Sequence, residues 1–149
     1  MQELHGYYLE DLAVGMTDVF AKTVTEADIV MFAGVSGDTN PVHINQLFAE
    51  GSMFKERIAH GMLSASFIST VVGTRIPGHG CIYLSQSLRF RAPVKAGDTV
   101  VARATVKEIM PERRRVILDT VCSVDDTVVL DGEATMMVAN RPEQSEGVR

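Results

Sequence analysis

The chain has 149 residues, 46% hydrophobic and 22% charged, with a formal net charge of -5; that length encloses one core and sits below the size at which chains divide, so a single domain is expected. The weak acidity argues against a nucleic-acid partner, because counterion release needs a basic surface. The most apolar stretch, Met62 to Val72, is interrupted by serines and falls short of the roughly 20 residues a membrane-spanning helix requires.

The first segment, MQELHGYYLEDL, carries acids where a secretory leader would carry basic residues ahead of an apolar run, so no membrane partner and a cytoplasmic location are expected. Next, TEADIVMFAGVSG predicts an amphipathic helix: Thr25 is placed as N-cap, Asp28 at N3, Ile29, Phe32 and Ala33 share a face, and Gly37 is the stop. In the DTNP loop that follows, Pro41 biases Asn40 away from the helical region and stiffens the segment. From Gly61 to Val72 small and apolar residues occupy every side, which predicts a helix buried all round, with Gly73 as its cap.

Beyond about residue 80 the pattern changes to strands rich in Val, Ile and Thr: IYLSQSLRF, VVARATVKEI, VILDTVCSV and VVLDGEATMMV. In the second of these Val100, Ala102, Ala104 and Val106 are expected inward, with Arg103, Thr105 and Lys107 toward water. The connections APVKAGD, MPERRR and VDDT hold residues that tight antiparallel turns favour. The two cysteines, Cys81 and Cys122, are too few for a disulfide framework and lack zinc-site spacing; both are expected in buried strands. The predicted fold is α+β, an antiparallel sheet wrapped around one long buried helix over residues 1–140, with a polar, mobile tail at 141–149.

Two short stretches carry chemistry. In SGDTNPVH, Asp38 and His43 flank a proline-stiffened turn, so their side chains can meet on one water as a general acid/base pair; the alternative is that Asp38 and Asn40 only cap the turn. In AHGML, Gly61 opens the apolar helix, where the first amides have no intrahelical acceptor and the helix dipole is positive. Its N–H can therefore serve a developing oxyanion, or the glycine can be simple helix-entry geometry. A metal site from Asp38, His43 and His60 has no recognisable ligand pattern. GTRIPGHG lacks the Lys and Ser/Thr of a phosphate loop and reads as a plain turn, and GVSGD is not a nucleophile elbow.

Those two stretches, with FAGVSGDTNPVHINQLFAE, IAHGMLSASFIS and IYLSQSLRFRAPVKAGD, make the sequence similar to the MaoC-like (R)-specific enoyl-CoA hydratases, which have the hot-dog fold. The resemblance covers nearly the whole chain apart from its last ten or so residues. It implies that Asp38 and His43 activate a water for addition to a trans-2-enoyl thioester and that the Gly61 amide polarises the thioester carbonyl. It also implies a supporting role for a serine that falls on Ser69, with packing as the alternative. No metal or redox cofactor is implied; the partner is an acyl-CoA substrate, and pairing of two chains into a homodimer is expected. Three other readings share the pattern: (R)-3-hydroxyacyl dehydration on acyl carrier protein or CoA, thioester hydrolysis on the same fold, and acyl-CoA binding without catalysis.

Overall fold

The computed structural model describes residues 2–143. Strand β1 (Thr17–Thr23) leads into helix α1 (Glu26–Ser36), followed by two short helices, α2 (Pro41–Ile44) and α3 (Gln46–Glu50), and then by the long helix α4 (Gly61–Thr74). Five strands complete the fold: β2 (Ile82–Gln86), β3 (Arg89–Phe90), β4 (Thr99–Met110), β5 (Arg115–Val124) and β6 (Thr127–Met137). All six strands form one antiparallel sheet in the order β1-β4-β5-β6-β2, with β3 also pairing with β6. This is the sheet and helix arrangement of the hot-dog fold.

The sheet curls around α4 because its inner face alternates as the sequence predicts. Val100, Ala102, Ala104 and Val106 of β4 are buried, as are Val116, Leu118 and Cys122 of β5. Against them α4 packs Leu63, Phe67, Ile68, Val71 and Val72. The two alanines at the middle of β4 leave room for the helix to approach the strand closely. Burying each large aliphatic or aromatic side chain here contributes about 1.5–3 kcal/mol.

The start of α1 is as expected: Thr25 Oγ1 accepts from the Asp28 N–H at 3.1 Å, and the Asp28 carboxylate accepts from the Thr25 N–H at 2.9 Å. Gly37 ends the helix in the left-handed region at φ 78°, which a side chain would resist.

Several expectations are corrected. Helix α4 is buried on one side only: Met62, Ser66, Ser69 and Thr74 are exposed, because the sheet covers one flank and small residues tolerate either environment. Gly73 lies inside the helix, which ends at Arg75, whose N–H still reaches Val71 O. IYLSQSLRF is not one strand but two, with Ser87 and Leu88 between them; there the Ser87 carbonyl sits 1.8 Å from where a Cβ on Gly132 would be, an approach that only glycine permits. Strand β1 and the short helices α2 and α3 are additional elements. Cys122 is buried in β5, but Cys81 is only half-buried and precedes β2.

Arg141, the first residue of the expected mobile tail, bonds to Asp11, and 144–149 lie outside the described residues. Among the described residues no helix is long and apolar enough to cross a membrane.

Candidate active site

The segment between α1 and α2 is held by its own side chains. The Asp38 N–H donates to Ser36 Oγ (3.1 Å), the Asn40 N–H to Asp38 Oδ1 (3.2 Å), and the Val42 N–H to Asn40 Oδ1 (3.2 Å). Asn40 is thus the N-cap of α2, and Pro41 at its first position is pre-set for helical φ while lacking an N–H to satisfy. The consequence is a fixed offset between Asp38, on the exposed loop, and His43, on the inner face of α2 and 8% exposed.

Backbone carbonyls set the tautomers of two histidines. His43 Nδ1 lies 2.8 Å from Ile58 O; a carbonyl only accepts, so a neutral His43 carries its proton on Nδ1 and a lone pair on Nε2. His60 Nε2 lies 2.9 Å from Asp38 O, which by the same logic leaves the lone pair on Nδ1. The two rings stack with centroids 3.9 Å apart, and Phe32 packs on His60 from a tilted position at 4.9 Å.

Ligand atoms of Asp38, His43 and His60 all lie within 4.8 Å of one another. The geometry suits proton transfer better than a metal: with the rings only 28° from parallel, a cation in the plane of one lies well out of the plane of the other.

Gly61 is the first residue of α4, with His60 as N-cap, so its N–H has no intrahelical acceptor. The Phe90 ring lies against it; a Cβ at Gly61 would sit 2.6 Å from Phe90 Cε1. Asp38, His60 and Gly61 line one cavity of about 460 Å³, whose walls include Ala92, Val94 and Leu130. Ser69 is not brought there: it sits on the exposed side of α4, roughly 12 Å along the axis from Gly61. His60 also lines the cavity, although the sequence offered it only as a ligand in a metal site without a recognisable pattern. Its adjacency to Gly61 was visible, but nothing local signals its stack on His43 or its bond to the Asp38 backbone.

A sheet curled around one helix defines a hot-dog domain, and its cavity is lined by a carboxylate, a histidine and a helix N-terminus. The chain belongs to the MaoC-like domain family, whose model matches residues 13–128. It is 54% identical over 135 residues to the (R)-specific enoyl-CoA hydratase of Rhodospirillum rubrum, covering 91% of this chain and 94% of that one. To the 3-hydroxybutyryl-CoA dehydratase of Methylorubrum extorquens it is 49% identical over 143 residues, covering 96% and 91% of the two chains. Among solved structures, the unliganded (R)-hydratase of Pseudomonas aeruginosa superposes with a TM-score of 0.85 at 42% identity, over 90% of this chain and 86% of that one.

Proposed function

We propose that the protein is an (R)-specific enoyl-CoA hydratase, a hydro-lyase that adds water reversibly across the double bond of trans-2-enoyl-CoA to give (R)-3-hydroxyacyl-CoA. The observations that support this reading are that ligand atoms of Asp38, His43 and His60 lie within 4.8 Å of one another, and that Asp38 and His60 share one cavity with the Gly61 end of α4, whose N–H has no intrahelical acceptor. The names of the Rhodospirillum rubrum and Methylorubrum extorquens relatives describe the forward and reverse directions of one reaction type.

In the proposed mechanism the thioester oxygen accepts a hydrogen bond from the Gly61 N–H, which drains electron density from C3. His43 Nε2 takes a proton from a water held beside the Asp38 carboxylate as the water oxygen bonds to C3. The π electrons move toward the carbonyl, forming an enolate whose oxygen leans on the helix N-terminus. Protonation of C2 by the imidazolium closes the cycle and regenerates neutral His43, so no metal or redox cofactor takes part. An oxyanion donor of this kind is worth about 3 kcal/mol, and a positioned acid/base about 10²- to 10⁴-fold in rate.

The same proposal includes a homodimer in the cytoplasm. Its support is the edge strand β2, which exposes Ile82, Tyr83 and Leu84 in a row, and the apolar Met53 (84% exposed) at the cavity mouth. Sedimentation at micromolar concentration reports the assembly, and a monomer there contradicts the dimer.

The deciding experiment is incubation with crotonyl-CoA, following loss of the enoyl chromophore while a thiol reagent reports free CoA. Chromophore loss without thiol release, and an (R)-configured product, is the expected result; thiol release identifies a thioesterase and ends the hydratase reading.

A further inference from the structure

Three hydroxyl side chains on α4 donate to the carbonyl one turn back: Ser66 Oγ to Leu63 O, Thr70 Oγ1 to Ser66 O at 3.3 Å, and Thr74 Oγ1 to Thr70 O at 2.6 Å, while Ser69 is exposed to solvent. Ser64 is settled in neither way. It is 2% exposed, and its Oγ has no hydrogen-bond partner among the described residues. One turn earlier His60, also 2% exposed, leaves Nδ1 without a partner. Because His60 Nε2 donates to Asp38 O, Nδ1 presents a lone pair.

Both residues line the cavity that Gly61 opens. Its exposed lining residues, among them Asp38, Met53 and Phe90, make the mouth, while the buried ones, Val94, Val129 and Leu130, make the inner end with Ser64. A helical side chain leans toward the turn N-terminal to its own Cα, so the Ser64 hydroxyl is carried toward the His60 ring. The inner end is therefore apolar apart from two groups one helical turn apart, one able to donate and one able to accept, which do not bond to each other. Buried polar groups are almost always paired, and a pair left open in a cavity calls for a polar occupant.

We propose that Ser64 Oγ and His60 Nδ1 form a polar subsite at the inner end of the acyl cavity, which seats a water beside a short acyl group and so selects four-carbon over eight-carbon thioesters. The inference rests on the acyl-CoA reading given above. A four-carbon chain leaves the water in place. An eight-carbon chain has to expel it and lay methylenes against two unpaired polar groups, and a site with buried hydrogen-bonding groups penalises a ligand that cannot match them.

The test is calorimetric binding of butyryl-CoA and octanoyl-CoA, saturated thioesters that cannot be hydrated, to the full chain and to its Ser64→Ala and Ser64→Thr variants. Kinetics on crotonyl-CoA and trans-2-octenoyl-CoA run alongside. Alanine suits a helix and removes the unpaired hydroxyl, so the first variant is expected to fold; the second keeps the hydroxyl. The expected result is a parent that favours the four-carbon ester, a Kd ratio shifted roughly tenfold toward the eight-carbon ester in Ser64→Ala, and a near-parental ratio in Ser64→Thr. A ratio in Ser64→Ala within about twofold of the parent, or no binding of either ester, overturns the subsite. Binding without hydration ends the hydratase reading instead, and the Kd ratio still decides the subsite.

Discussion

His43 and His60 stack face to face, 3.9 Å between ring centroids, while their outer nitrogens bond to two different backbone carbonyls, Ile58 O and Asp38 O. One ring carries the lone pair proposed as the base; the other ties the Asp38 backbone to the start of α4. This couples the loop, the short helix and the long helix through two aromatic rings. His60→Ala removes the buried ring and the bond to Asp38 O together and should cost about 2–4 kcal/mol of stability. His60→Phe keeps the ring volume and should cost less, yet lower kcat about tenfold or more, since small displacements of a catalytic group are expensive. Urea unfolding and steady-state kinetics on both variants separate the two contributions.

Asp38 is exposed and makes no buried contact that an amide would break. Asp38→Asn is therefore expected to unfold at the parental urea midpoint while kcat for crotonyl-CoA hydration drops about 10²- to 10⁴-fold. Parental turnover in a normally folded Asp38→Asn protein removes the carboxylate from the mechanism.

Gly61 has no side chain where the Phe90 ring passes. In Gly61→Ala the new methyl displaces Phe90 and crowds the approach to the helix N-terminus, while helix propensity itself improves by about 1 kcal/mol. The expected outcome is a stability change within about 1 kcal/mol and a loss of about 10²-fold in kcat/KM. Adding Phe90→Ala relieves the displaced ring, and partial recovery in the double variant attributes the loss to crowding at this contact.

Asp28 accepts from Lys22 Nζ at 2.9 Å and from the Thr25 N–H, and these bonds, the lysine's first, hold its carboxyl below the usual carboxylate range. A lowered folded-state value stabilises above the unfolded value of 3.8, and that stability is lost as pH falls through the lowered value. Asp28→Ala should cost about 1–2 kcal/mol at pH 7. The gap from the parent should narrow on acidification below pH 3.8, as followed by urea unfolding.

Burial beneath α4 pushes the Cys122 thiol up to about 12 from its ordinary 9.0. Below pH 9 both folded and unfolded thiols are neutral; above it the unfolded thiol ionises first, so stability falls as pH rises toward 12. The slope from this one group approaches about 1.4 kcal/mol per pH unit. Unfolding free energies of the parent and Cys122→Ala across that window should therefore converge, and parallel curves contradict the assignment.

Much of the architecture was written locally. The alternation in VVARATVKEI set the inner face of β4, and Thr25, Asp28 and Gly37 marked both ends of α1, because periodicity and caps depend on neighbours a few residues away. The closeness of Asp38 to His43 and the place of Gly61 at a helix start were legible for the same reason, since proline, the Asn40 cap and a helix start act over one turn. Tertiary structure decided the rest. Whether Ser69 or Ser64 faces the cavity depends on which flank of α4 the sheet covers, and the small residues around that helix leave no amphipathic stripe to say so. At the break between β2 and β3, Ser87 meets Gly132, 45 residues away, a contact no local pattern announces. The role of His60 likewise arises from contacts 17 and 22 residues distant in the chain, with His43 and Asp38, which only the folded backbone brings together.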